Sequence, residues 1–425
     1  MVSIQTPCKI GCDKSNGEAV LPPSQFPRSR APHDHSIVEV GPLLAHNPEY
    51  HLPLALGLRS YSRCRQFHPT LRTAMKYRGV VYDVGLRFGD QGFSVEPFYP
   101  ILVEHDMRVI ANDMHANAVR IEGEEIHRLE FAARAAHSTG LTVFFNPWKM
   151  NEGIDGTRAY FEDAAETAER LRNEGVDIVF VAGCEYTIFS KGVFPGDSFY
   201  ERAMWLGTQF PGGHMTRDVP QVLRDKSVEL NKVLRSFVKV IRAKFGGLLT
   251  YSAGTWELVD WDIFDIVGID YYRRGEAEEE YVAGLEHYRF GKPLAVMKVG
   301  CCAYLGAADR GDGGFMLLKS TNPDGSGVFE GGVVPTRSER EQADYLGTQL
   351  NLLAAADVHA VFVYVFSFPC MQRGEGPSDL DMMCFSLVKY FPDGDPRSNA
   401  MPPWTPKESF HRVADFFLSM VQPQL

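Results

Sequence analysis

Four ionisable side chains stand where short apolar runs end, and their types set the chemistry to expect. Glu185 follows Val181, Ala182, Gly183 and Cys184, a run that tapers to small residues, so its carboxylate enters a partly dry environment suited to a general acid or base. Asp83 closes GVVYD, Asp270 closes DIVGID, and Lys298 lies near the end of PLAVMKV. Other strand-end groups suit substrate contact: Arg120, Glu122, Tyr186, Trp256, Tyr271, Tyr272 and Phe366. Any one of the charged groups can equally be a structural partner of another, or a helix cap.

The apolar runs themselves predict the positioning elements. From residue 77 onward, eight β-branched or aromatic segments alternate with amphipathic ones: 79–83, 118–121, 142–146, 177–182, 248–252, 265–270, 293–299 and 360–366. Helices are expected over 101–114, 125–138, 157–173, 219–244, 276–290, 338–356 and 407–421, with a turn at 256–261 as the fifth crossover. Ser338 with Glu341 reads as a capping box. Strict alternation predicts an α/β fold, a (β/α)8 TIM barrel over 79–425 acting as the catalytic domain, preceded by an irregular N-terminal arm over 1–78 rich in Pro, Ser, Arg and His. A doubly wound sheet is the competing architecture, but the chain after Tyr82 lacks the glycine fingerprint of a dinucleotide site. In a barrel, the strand ends named above share one mouth, and the glycine-rich insertions 190–220 and 301–335 hang over it.

Composition narrows the function further. The 425 residues are 44% hydrophobic, enough for one large core, and carry a formal charge of −11 with no basic run, which disfavours nucleic acid. The longest apolar run, 358–368, is too short to span a bilayer, and no signal-type segment opens the chain; a cytoplasmic protein without membrane contact is expected. Eight scattered cysteines read as reduced thiols, and Cys184, Cys301 and Cys302, beside the strand ends, have no His near in sequence to make them nucleophiles. His33 and His35 have metal-site spacing but follow no strand, so neither a metal nor any other cofactor is expected. There is no serine elbow and no phosphate loop. Asp381, after the eighth run, is a minor candidate. The partner implied is a small-molecule substrate, and the oligomeric state stays open.

A carboxylate ending strand four, with another group ending strand seven, resembles the large glycoside hydrolase superfamily of barrels. The segments YRGVVYDVG, GCEYTIF, FDIVGIDYYR, GCCAYLGAADRGD and LDMMCFSLVK are also similar to bacterial and fungal proteins labelled abortive-infection proteins, across about residues 77–421. A further likeness is to fungal hydrolases that open polyene epoxides in polyketide pathways of the citreoviridin and aurovertin type. The hydrolase resemblance implies that Glu185 protonates a leaving oxygen and that a strand-seven Glu attacks the anomeric carbon. Here that second position is Lys298. A lysine beside Glu185 is expected to favour its ionised form, making it a better base and a poorer acid. Three readings follow: a hydrolase opening or cyclising an epoxide on a secondary metabolite, with Glu185 or Asp270 activating water; a glycosidase working by a non-retaining route, with Asp83 or Asp270 as base; and a non-catalytic binding barrel in which Lys298 and Glu185 form an ion pair.

Overall fold

The computed structural model describes residues 75–88, 92–210 and 218–421. The expected histidine pair of the arm and most of the arm itself lie outside these residues. Eight parallel strands form the barrel: β1 (Tyr77–Asp83), β2 (Ala118–Gly123), β3 (Thr142–Pro147), β4 (Ile178–Cys184), β5 (Leu248–Ser252), β6 (Val267–Asp270), β7 (Leu294–Val299) and β10 (Ala360–Val363). Their order is β5-β4-β3-β2-β1-β10-β7-β6. The sheet closes between β5 and β6, where the Ala253 N–H donates to Gly268 and the Asp270 N–H to Ala253. The fold is a (β/α)8 TIM barrel. Strand β1 begins two residues inside the expected arm.

Around it run α1 (Pro100–Arg108), α2 (Ile126–Ser138), α3 (Ile154–Asn173), α6 (Gln221–Lys244), α7 (Glu278–Gly284), α8 (Glu339–Ala355) and α9 (Glu408–Val421). The first expected helix changes pitch to a π-helical turn at Val109–Asp113. The insertion after β4 holds α4 (Tyr186–Phe189) and α5 (Phe199–Thr208), whose Ser198 and Glu201 form a full capping box. The insertion after β7 folds into a 3-10 turn and the hairpin β8 (Leu318–Thr321) and β9 (Gly327–Phe329). A second two-stranded pair, β11 (Val388–Tyr390) with β12 (Trp404–Pro406), leads into α9. The capping box expected at Ser338 is half formed: Ser338 caps α8, but Glu341 reaches the Gly306 and Ala308 N–H groups of the insertion instead.

Period-two alternation sorts the strand residues. Val80, Tyr82, Val119, Ile121, Val143 and Phe145 face the helices, while Tyr77, Val81, Ala118, Phe144, Met297 and Phe362 fill the barrel interior. The lower interior is plugged by rings, Tyr77 on Phe144 (5.3 Å) and Phe144 on Phe362 (4.6 Å). Above that plug the same inward positions become polar: Arg120 and Glu122 on β2, and Asn146 on β3.

Candidate active site

Two β-bulges aim the central residues. On β7 the register jumps by an extra residue against both neighbours: Val296 pairs with Ile269 and Val361, then Lys298 with Asp270 and Val299 with Val363. Simple alternation after the inward-facing Met297 would send Lys298 out to the helices; the bulge returns it to the interior. On β4 the register runs from Val181–Thr250 to Cys184–Ser252, so one residue is extra there too, and Gly183 takes φ 95°. Glu185 follows in the left-handed region at φ 40°. That strained position is pinned on both sides. The Glu185 N–H donates to Ser252, the Tyr186 N–H to the Tyr251 hydroxyl, and the Thr187 N–H and hydroxyl to Glu257.

Together these turns bring Glu185, Asp270 and Lys298 to one buried point at the inner end of a cleft of about 2560 Å3, which Glu185 and Lys298 line. The Lys298 ammonium lies 3.3 Å from Asp270 and 3.9 Å from Glu185. It also faces three rings, Trp148 (4.9 Å), Tyr364 (5.0 Å) and Phe189 (5.6 Å). Asp270 accepts from the Ser252 hydroxyl (2.5 Å) and the Cys184 thiol (3.4 Å), with Arg120 at 3.8 Å.

The two carboxyls titrate in opposite directions. Burial, aided by the negative charge of Asp270, holds Glu185 well above the usual carboxylate range, against the opposing pull of Lys298. Burial also acts on Asp270, but Lys298, Arg120 and the Ser252 hydrogen bond outweigh it and hold that group below its ordinary value. Of the two, Glu185 is therefore the one that holds its proton and Asp270 the one that ionises. This reverses the expectation that Lys298 would keep Glu185 ionised, because the ammonium spends its charge on Asp270. The same neighbours keep Lys298 itself protonated despite burial.

Asp83, at the end of β1, accepts from Ser94 and from the Gly85 N–H, and burial lifts it to about 7. Glu257 lines the cleft but is saturated by Thr187, Tyr251 and Gly254, and burial lifts it to about 7 as well. Glu122 is fully buried without a hydrogen bond, 3.3 Å from Arg120, and burial raises it.

The residues expected to contact substrate divide. Trp256 and Tyr272 border the cleft, and Tyr272 lies within the field of Lys298, Asp270 and Glu185. Tyr271 borders it too, but its hydroxyl turns back to the Tyr281 carbonyl. Tyr186 does not reach the mouth; its ring packs on Phe237 of α6 and its hydroxyl donates to Lys191. Phe366 is core, between Tyr82 and Trp404. Arg120 and Glu122 lie beneath the cleft, where Arg120 is consumed by Asn146 and the Met297 carbonyl. Asp381 is bound by Lys407 and Arg337 and serves the outer packing of α8 and α9. Sequence reasoning passed over Trp148, Phe189 and Tyr364. Tyr364 alone had a visible signal, an inward position two residues after Phe362.

Cys184, Glu185 and Asp270 are of metal-ligand type and lie within 4.8 Å of one another. Their donor set does not fit a cation well: the Lys298 ammonium already stands beside both carboxyls, and Glu185 carries a proton. Among the described residues no helix is long and apolar enough to cross a membrane.

The chain matches no protein-family model and no curated protein. Solved structures do resemble it. GH5_18 from Streptomyces cattleya, solved with GlcNAc, is 12% identical over 83% of this chain and 82% of that one, with TM-score 0.50. A GH113 beta-1,4-mannanase solved as a complex is 14% identical over 81% and 100%, at 0.49. The GH113 beta-mannanase AaManA from Alicyclobacillus acidocaldarius is 14% identical over 81% and 98%, at 0.48. The first likeness shows a shared barrel fold. These comparisons give no support to the abortive-infection and citreoviridin-type resemblances.

Proposed function

We propose that this chain is a glycoside-hydrolase-type barrel that cleaves an acetal-like C–O bond of a small-molecule substrate, with Glu185 as general acid and no carboxylate nucleophile on the seventh barrel strand. What carries this reading is the buried Glu185 carboxyl at the cleft, held well above the usual carboxylate range, beside Asp270, which Lys298 and Arg120 hold below its own. Protonating the leaving oxygen is the chief demand of acetal cleavage, whose cationic transition state is stabilised by the ring oxygen. The Lys298–Asp270 pair presents no net charge to that cation.

Glu185 and Asp270 have carboxyl oxygens within 4.8 Å, short of the roughly 6.5 Å and more of an inverting pair, and Asp270 is already engaged by Lys298, Ser252 and Arg120. They do not divide acid and base roles between them. Asp83, which titrates about 7 and lies behind the cleft wall, hydrogen-bonded to the wall residue Ser94, is the carboxyl we assign to activate water through that hydroxyl. Epoxide opening with Glu185 or Asp270 activating water is not favoured, because Glu185 holds its proton and Asp270 is already engaged by Lys298, Ser252 and Arg120.

The test is a panel of aryl glycosides whose leaving groups span a range of acidity, assayed with wild type and Glu185→Gln. The variant should lose about 100-fold or more on poor leaving groups and little on dinitrophenyl ones, which need no proton. Equal losses across the panel, or none, would sink the assignment of Glu185.

A further inference from the structure

One wall of the cleft is a continuous run of rings leading outward from the acid. Tyr364, whose ring faces the Lys298 ammonium at 5.0 Å, neighbours Phe385 at 5.7 Å; Tyr272 neighbours the same Phe385 at 6.1 Å. Phe385 in turn meets Phe315 at 6.3 Å, on the insertion after β7. At the outer end the apolar groups stand in solvent: Phe315 is 42% exposed, Met316 47% and Val333 71%, and all three line the same cleft as Glu185. Single exposed apolar residues are ordinary, whereas a contiguous set running into a catalytic cleft marks a surface that a ligand covers.

Resting on the acid role of Glu185, we propose that the substrate carries an extended apolar group beyond the bond being cleaved, and that this group lies along Tyr364, Phe385, Phe315 and Met316. The run is hydrocarbon and ring at its outer end, so it favours a hydrophobic aglycone over a further sugar, which would need hydrogen-bond partners there. The insertion that bears Phe315, Met316 and Val333 thus sets specificity, while the strand ends supply the chemistry.

The experiment titrates n-alkyl β-glucosides, from butyl to decyl, into the full-length chain and follows the heat of binding. Affinity should rise with chain length, by up to about fourfold per buried methylene. The double variant Phe315→Ser, Met316→Ser changes only exposed positions; it should flatten that rise and leave the butyl compound unchanged. Binding independent of chain length in the wild type, or the same rise in the variant, overturns the proposal. The readout needs no turnover, so the two readings fail separately. Glycoside cleavage with a flat length series would leave the acid role standing, and a steep series with an unaffected Glu185→Gln enzyme would leave only the apolar site.

Discussion

Asp270 holds the Lys298 ammonium at 3.3 Å, closer than Glu185 does at 3.9 Å. That difference decides which carboxyl ionises. With the cation, the Ser252 hydroxyl and Arg120 all serving Asp270, Glu185 is left with burial and a negative neighbour, both of which favour its proton. A lysine in this place therefore does not ionise Glu185; it gives the ionised form to its neighbour.

Replacing Asp270 by Asn should invert the arrangement. Lys298 would then have Glu185 as its nearest carboxyl, and the repulsion that raises Glu185 would be gone. A general acid works below its pKa, so the alkaline limb of the pH–rate profile should move to lower pH, by at least about one unit, and activity at neutral pH should fall about tenfold or more. A lowered rate with the limb in place would mean that Asp270 only supports the structure.

Lys298→Met should move the limb the other way. Removing the cation takes away the main influence lowering both carboxyls, so Glu185 keeps its proton to higher pH. It also strands a buried carboxylate, for which a loss of about 3–5 kcal/mol is expected in urea unfolding. Unfolding at wild-type denaturant concentrations would contradict the pairing.

The barrel was legible because its signal is local: eight apolar runs at regular spacing, with helical periods between. Glu185, Asp270, Lys298 and Asp83 were legible for the same reason, as polar residues closing those runs. What one sequence hid was direction. The β7 bulge that swings Lys298 inward depends on pairing with two strands far away in the chain, and Tyr186, one residue past Glu185, turns outward to α6 because the β4 turn is left-handed there. Phe366 failed likewise, since the eighth barrel strand ends at Val363 and the chain then bends toward Trp404. The protonation states were hidden too, because they follow from distances of less than an ångström's difference.

Asp83→Asn should change how stability depends on pH. Burial raises Asp83 from 3.8 to about 7 on folding, so its favourable contribution is complete below about pH 4 and is lost as pH rises through 7. That shift corresponds to about 4 kcal/mol, which the wild type forfeits by pH 8 and the variant does not. Asn preserves the contacts, because its oxygen can accept from Gly85 while its amide donates to the Ser94 oxygen. Urea midpoints at pH 5, 6.5 and 8 should decline less steeply in the variant; parallel declines would place the titration elsewhere. Glu257, also raised to about 7, declines in the same window and remains in both proteins.

The β4 bulge can be tested through its glycine. Gly183 sits at φ 95°, and a Cβ there would meet Phe161 and Tyr251 at 3.5 and 3.7 Å, ordinary contact distances. The cost of Gly183→Ala is thus backbone strain, about 1–2 kcal/mol, and not a clash. Relief of that strain means flattening the bulge, and flattening it rotates Glu185 away from the cleft and from Asp270. Gly175, at φ 99° in the open turn after α3, is the matched control, since Ala there carries the same strain with nothing nearby. The two variants should lose similar stability by urea unfolding, while only Gly183→Ala should lower kcat, about tenfold or more, with KM little changed. Equal activity in both would show that the bulge shapes the strand without aiming the acid.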